Sequence, residues 1–357
     1  MKKRKRHPRG DPKPESVRKF LDRHLPRVSP EQLRRALPDS LEGVASRHKT
    51  SRGMVLDAID ALKSLGVMVR EFGGVWSITK EPEPLAHDPT RHLLRSDERG
   101  GYRFGVISDT HYGSKYARED VVADLYDWYA SEGITRVYHC GNWIDGQSHF
   151  NKYDLLPEAH GLQSQLDLFA ARYPARSGIV TCYVAGDDHE GWYAQREGVD
   201  IGRMLESTAR SAGRSDLVYL GYKEAFVALE HAKTRKHARL LVDHPGGGSA
   251  YADSYAAQKR VEAAQPGEKP GMWLFGHWHK IGYFRPRGVH VLLAGCTKDL
   301  DPFGRKKGLR YDVGGSIVEL HQDEGGALVE CTPRIRVFYD RGYHEGTAFS
   351  MSGSVKR

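Results

Sequence analysis

No run of about 18 apolar residues occurs in this 357-residue chain, so nothing in it reads as a membrane span. Cysteine is scarce. Cys140, Cys182, Cys296 and Cys331 stand far apart and form no Cys-x-x-Cys, and three fall in apolar strand-like runs. They read as reduced, buried thiols of a cytoplasmic protein. The opening Met-Lys-Lys-Arg-Lys-Arg has no apolar stretch behind it and is not expected to act as a secretory signal. No internal repeat is visible. What is present is an apolar fraction of 39%, sufficient for a sizeable core in two domains, or in one large domain with an appendage.

Charge is unevenly placed. The chain carries a net charge of +8, while residues 1–80 alone hold 19 Lys and Arg against 9 Asp and Glu. The basic character therefore belongs to the amino-terminal part, which implies a polyanionic partner for it. Residues 1–13 read as a basic disordered tail. Over 14–80 the pattern is compact. Short helices are expected at Ser16–His24, from Ser29-Pro30-Glu31 and at Ser40–Arg47. Thr50-Ser51 caps a longer helix, Arg52–Leu65, with Met54, Val55, Ala58, Ile59, Leu62 and Leu65 at helical spacing. A hairpin follows, turning at Gly73-Gly74. Helices followed by a hairpin resemble a winged helix-turn-helix module. Its expected nucleic-acid contacts are Lys2, Lys3, Arg4, Lys5, Arg6 and Arg52.

Residues 81–100 are Pro-rich and charged and read as a linker; 101–345 read as the main domain, and 346–357 as a flexible tail. In the main domain, strand-like runs alternate with helices expected at Asp120–Ser131, Gln163–Tyr173 and Asp200–Ala212, an α/β layer pattern. Beyond Gly282, runs at Val289–Ala294, Ser316–Leu320, Ala327–Cys331 and Arg336–Tyr339 are expected to complete a second sheet.

Five short clusters carry the chemistry: Asp109-x-His111, Gly141-Asn142-x-x-Asp145, Asp187-Asp188-His189-Glu190, Asp243-His244 and Gly276-His277-x-His279. Most directly follow an apolar run: Phe104–Ser108, Arg136–Cys140, Ile179–Ala185, Leu240–Val242 and Met272–Phe275. Ligand sites of open sheets lie where strands end. Oxygen and nitrogen donors from several strand ends can thus converge on divalent metal. Singly, each cluster has a plainer reading: a turn Asp, loop histidines, or, for Pro245-Gly246-Gly247-Gly248, a flexible turn rather than a phosphate-approaching loop. Gly276 is expected to take an unusual backbone angle.

The series, over roughly residues 102 to 300, resembles the calcineurin-like metallophosphoesterases, whose pattern is DxH, GDxxD, GNH(D/E), a lone His and GHxH. The resemblance implies a four-layer α/β/β/α sandwich, preceded here by the small winged-helix domain. It implies Asp109, His111, Asn142, Asp188, His244, His277 and His279 as metal ligands. It also implies His189 as general acid, oriented by Asp145 in a pairing expected to raise the imidazole pKa. Asp243 is left as a partner behind the ligands.

Two positions depart from the pattern. Asn142 stands where the family has Asp, and Asp188 where it has Asn. An amide is a poorer bridge between two ions than a carboxylate, yet the total charge of the ligand set is unchanged. Asp188 could take over bridging, one ion could bind weakly, or the doubled acid could shift the ligand to Asp187. Gly146 and Gly191 replace residues that mark Ser/Thr protein phosphatases, which argues against that branch.

The expectation is therefore a hydrolase using two divalent ions (Mn, Fe or Zn), with one ion possible, on a phosphodiester of nucleic acid such as DNA. Two alternatives stay open: a small-molecule phosphodiesterase or phosphomonoesterase, and a DNA-binding protein whose metal site no longer turns over.

Overall fold

The computed structural model describes residues 27–64, 67, 69–72, 75–78, 92–248, 250–265 and 267–339. The expected basic tail with Lys2, Lys3, Arg4, Lys5 and Arg6, the helix at Ser16–His24, most of the 81–100 segment and the 346–357 tail lie outside these residues. The chain divides into two compact units, 1–80 and 81–357.

The first unit is helical with a small sheet. Helix α1 (Pro30–Ala36) starts on Ser29, whose side chain and Gln32 form a reciprocal capping box, with Pro30 at the first turn. After β1 (Asp39–Ser40), the Ser40 hydroxyl caps α2 (Leu41–Arg47) and the Ser51 hydroxyl accepts from the Met54 amide in α3 (Arg52–Ser64). β2 (Val69–Phe72) and β3 (Val75–Ile78) pair antiparallel with Phe72 opposite Val75, and β1 pairs β3. Leu33, Val44, Val55, Ile59 and Leu62 fill the core of this unit. Arg52 lies exposed at the start of α3 and pairs with Glu42 at 2.8 Å.

The second unit holds two six-stranded sheets. In the first, β5 (Gly101–Ile107), β6 (Arg136–His139), β7 (Val180–Ala185) and β8 (Leu217–Tyr222) run parallel. β14 (Val313–Gln322) lies antiparallel to β5, and β15 (Leu328–Phe338) forms the edge. In the second, β10 (His237–Asp243), β11 (Met272–Phe275) and β13 (His290–Ala294) run parallel. They are flanked by β9 (Glu224–Glu230) and β4 (Leu93–Arg95) on one side and β12 (Ile281–Phe284) on the other.

Period-two alternation explains why the sheets stack. Leu240 and Val242 on β10 and Met272 and Leu274 on β11 join a core shared with Phe104 and Val106 of β5 and Val184 of β7. The intervening Leu241, Trp273 and Phe275 face the other way and pack on Ala257 and Val261 of α8 (Tyr255–Ala263). Strands buried on both faces read as continuous apolar runs. Helices α4 (Glu119–Ser131), α5 (Leu162–Arg172) and α7 (Ile201–Ser211) bury apolar faces in the same unit. The architecture is the four-layer α/β/β/α sandwich.

Three expectations are corrected. The late strands do not all join the second sheet: β14 and β15 return to the first, because β14 pairs with β5 from Ser316↔Val106 to His321↔Gly101. The runs Ala327–Cys331 and Arg336–Tyr339 are one strand, continuous through Pro333; an edge strand tolerates a residue that cannot donate a ladder hydrogen bond. The segment 81–100 is not linker throughout, since Leu93–Arg95 adds a strand parallel to β9 and buried His92 lies 3.1 Å from the Leu220 carbonyl. No helix among the described residues is long and apolar enough to cross a membrane.

Candidate metal centre

The clusters converge because parallel strands deliver them at the same ends. Ile107, His139, Ala185, Asp243 and Phe275 are the last residues of β5, β6, β7, β10 and β11. Beyond these ends the chain turns through unusual backbone. Asp109 (φ 51°), His111 (47°), Asn142 (51°), His189 (49°), His277 (74°) and His279 (54°) all occupy the left-handed region. A non-glycine residue there is uncommon, and such strain persists only where the surroundings over-determine it. Gly276 is not one of these positions. It is needed for close approach instead: a Cβ there would stand 2.4 Å from both the Cys140 carbonyl oxygen and the Ser108 hydroxyl.

Among the described residues three groups of donors result, each with its ligand atoms within 4.8 Å of one another. The first is Asp109, His111 and His279; the second is Asp188, His244 and His277; in the third, Asp145 and His189 share His111. Asp188 is grouped with His244 and His277. Its oxygens lie 3.3 Å from His244 Nε2 and 3.3 Å from His277 Nδ1. Asp187 turns away and pairs with Lys223 at 3.1 Å. Asn142 contributes a buried Oδ1 that has no hydrogen-bond partner.

The donors fit a cation. Asp109 Oδ2 accepts from the His277 amide at 2.9 Å, while its buried Oδ1 faces His279 Nε2 at 3.2 Å. His111 Nδ1 is held by Asp145 Oδ1 at 2.9 Å, which leaves His111 Nε2 facing His279 Nε2 at 3.3 Å. His244 Nδ1 donates to the Cys140 carbonyl at 2.6 Å, which turns its Nε2 to Asp188; His277 Nε2 is fixed on the Gly247 carbonyl at 2.7 Å, which turns its Nδ1 to the same carboxylate. A partner behind the ring that fixes one nitrogen and bares the other is the arrangement of metal-binding imidazoles. Gly247 thus serves to hold His277.

Electrostatics agree. Burial opposes ionisation of Asp109 and Asp188, but neighbouring imidazoles hold both well below the usual carboxylate range. Burial would push His244 down, yet Asp188 and Asp109 outweigh it and raise the ring to about 10. A proton is drawn to a place that calls for positive charge.

The expectation for His189 is corrected. Burial first, and then the nearby His111, push its ring down to about 4 rather than up. Its Nδ1 meets the Asp145 backbone carbonyl at 2.8 Å, with the carboxylate oxygen at 3.6 Å. The carbonyl fixes the tautomer. The Asp145 carboxylate is engaged elsewhere, by His111, by Asn151 Nδ2 at 2.8 Å and by Lys298 Nζ at 3.1 Å. Asp243 stands outside the donor groups, as expected from the sequence. It accepts from Trp273 Nε1 at 3.0 Å, and burial pushes it up to about 7.

Two residues of the site escaped the sequence reading. Buried Lys298 pairs with Asp145 and, at 2.8 Å, with Asp301. It follows β13 by a few residues, as the other clusters follow their strands, and that placement was its only signal. Glu190 was seen only as part of its motif. It is buried, and one oxygen accepts from the amides of Asn142 at 2.8 Å and Gly186 at 2.7 Å, binding two ligand loops together. Burial raises it to about 8. A cleft of about 590 Å³ opens on the site, with Asn142, Asp188, His189, His277, His279 and Lys298 on its wall.

No family model and no curated protein matches the chain. Among solved structures the chain is similar to an archaeal phosphodiesterase, at 14% identity over 66% of this chain and 100% of that one, with a TM-score of 0.35. It is similar to a Streptococcus pneumoniae protein described as a predicted phosphoesterase, at 13% over 67% and 98%, TM-score 0.31. It is also similar to Entamoeba histolytica Vps29 complexed with Zn²⁺, at 13% over 67% and 100%, TM-score 0.29.

Proposed function

We propose that this protein is a metal-dependent phosphoesterase of the calcineurin-like type that hydrolyses nucleic-acid phosphodiesters. The observation that carries the reading is the pair of Asp-His-His groups whose donor atoms face one another beside one cleft. Asp109, His111 and His279 would hold one divalent ion, and Asp188, His244 and His277, with Asn142, a second. Mixed imidazole and carboxylate donors suit Mn²⁺, Fe or Zn²⁺. Such ions supply polarisation of the phosphoryl group and a water of lowered pKa.

The chain's own residues do the rest. Asp145 and the Cys140 and Gly247 carbonyls orient the rings. Lys298, buried between Asp145 and Asp301, fixes the carboxylate that orients His111. His189 is neutral at pH 7 with Nδ1 committed to a carbonyl, so Nε2 is its proton acceptor; a general-acid role requires that it gain this proton first.

The nucleic-acid part of the proposal is supported by the basic amino-terminal stretch and the helix–hairpin unit that contains Arg52, which we read as a winged-helix module. The test is hydrolysis of bis-p-nitrophenyl phosphate, p-nitrophenyl phosphate and DNA, each with Mn²⁺. The expected result is cleavage of both diesters, abolished by His279→Ala. Failure on every substrate would overturn the reading. Replacing Lys2, Lys3, Arg4, Lys5 and Arg6 by Ser should also weaken DNA binding and flatten its salt dependence, because fewer counterions are released. An unchanged slope would remove the tail as an anchor.

A further inference from the structure

We propose that the cleft reads an unpaired nucleobase next to the scissile phosphate, by stacking it on Phe303 and Phe150. This rests on the phosphoesterase reading and narrows its substrate to single-stranded or locally opened nucleic acid. Both rings line the same cleft as Asp188 and His279. Phe150 is 72% exposed and Phe303 54% exposed. A single exposed aromatic needs no explanation. Here two exposed rings line one cleft that also carries metal-type donors.

The platform is built into the site. Phe303 stands in the first turn of α9 (Pro302–Lys307), which starts on Asp301, whose Oδ1 accepts from the Gly304 amide at 2.7 Å. The other Asp301 oxygen binds Lys298, Lys298 binds Asp145, and Asp145 holds His111. A continuous run of buried polar contacts therefore sets Phe303 relative to the first donor group. Lys307, four residues on, holds its Nζ over the Phe303 ring, 6.0 Å from the centre, and lines the same cleft. Phe150 packs on His149 with ring centres 3.8 Å apart, which backs one of its faces. Aromatic faces stack any base, whereas a base within a duplex already has both faces covered.

The test compares two esters with the same p-nitrophenolate leaving group: thymidine 5′-(4-nitrophenyl) phosphate, which carries a base, and methyl 4-nitrophenyl phosphate, which does not. Both are assayed with Mn²⁺. The wild type should favour the thymidine ester in kcat/KM. Phe303→Ala should cut that preference about tenfold, Phe150→Ala should cut it too, and Phe303→Trp should keep it. Equal use of the two esters by the wild type, or a preference that survives both alanine changes, overturns the stacking and leaves the phosphoesterase standing. If neither these esters nor the three substrates named above are cleaved, the phosphoesterase reading fails, and stacking is decided by binding alone. A 2-aminopurine oligonucleotide should then be quenched by the wild type and not by Phe303→Ala; equal quenching by both would overturn it.

Discussion

His111 donates from Nδ1 to Asp145 Oδ1 at 2.9 Å, and this bond aims its other ring nitrogen at His279. Asp145 therefore acts on the metal group through His111 more than through His189. Asp145→Asn keeps an acceptor but loses the charge that makes the imidazole a strong donor. We expect Mn²⁺ affinity to fall about 10- to 100-fold by isothermal titration calorimetry. Unchanged affinity would show that the Asp145–His111 contact is only structural.

The Asn142/Asp188 exchange gives a second test. Asn142→Asp adds a negative charge to the site and Asp188→Asn strips the second donor group of its only carboxylate. Each single change should impair metal binding, and the double change should recover it beyond the sum of the two, because neighbouring ligands couple. Additive losses would separate the two positions energetically.

Much of this was legible in the sequence, and the reason is physical. Strands buried on both faces leave unbroken apolar runs, such as Met272–Phe275, and donors that cap such runs, such as His277 and His279, declare themselves. Partnering was not legible. The sequence placed Asp145 beside His189, but the fold brings Lys298, from another strand end, against Asp145, and burial then sets His189 low rather than high. Asp187 and Asp188 were equivalent on paper; only the left-handed turn at His189 and the ion pair with Lys223 show which carboxylate enters the site. The destination of β14 depends on pairing with β5, far away in sequence, which local pattern does not encode.

Protons should report on the site as well. His244 is raised to about 10, so at pH 7 its metal-facing nitrogen carries a proton that a bound ion must displace. Metal affinity should therefore rise with pH up to about 10, by roughly tenfold per unit for one proton. Binding enthalpies in buffers of different ionisation heat should reveal proton release. No release at pH 7 would contradict the assignment of His244 Nε2 as a ligand atom.

Lys298 is held by two buried carboxylates, Asp145 and Asp301. Lys298→Met leaves both without their cation. Breaking a buried pair from one side strands the remaining charge, so the second unit should lose on the order of 3 kcal/mol in urea unfolding. A variant as stable as the wild type would mean that water already compensates these acids.

If two separate donor groups each hold an ion, anomalous diffraction at the manganese edge from Mn²⁺-soaked crystals should show two peaks, one among Asp109, His111 and His279 and one among Asp188, His244 and His277. Density confined to other places, or none at either group, would contradict it.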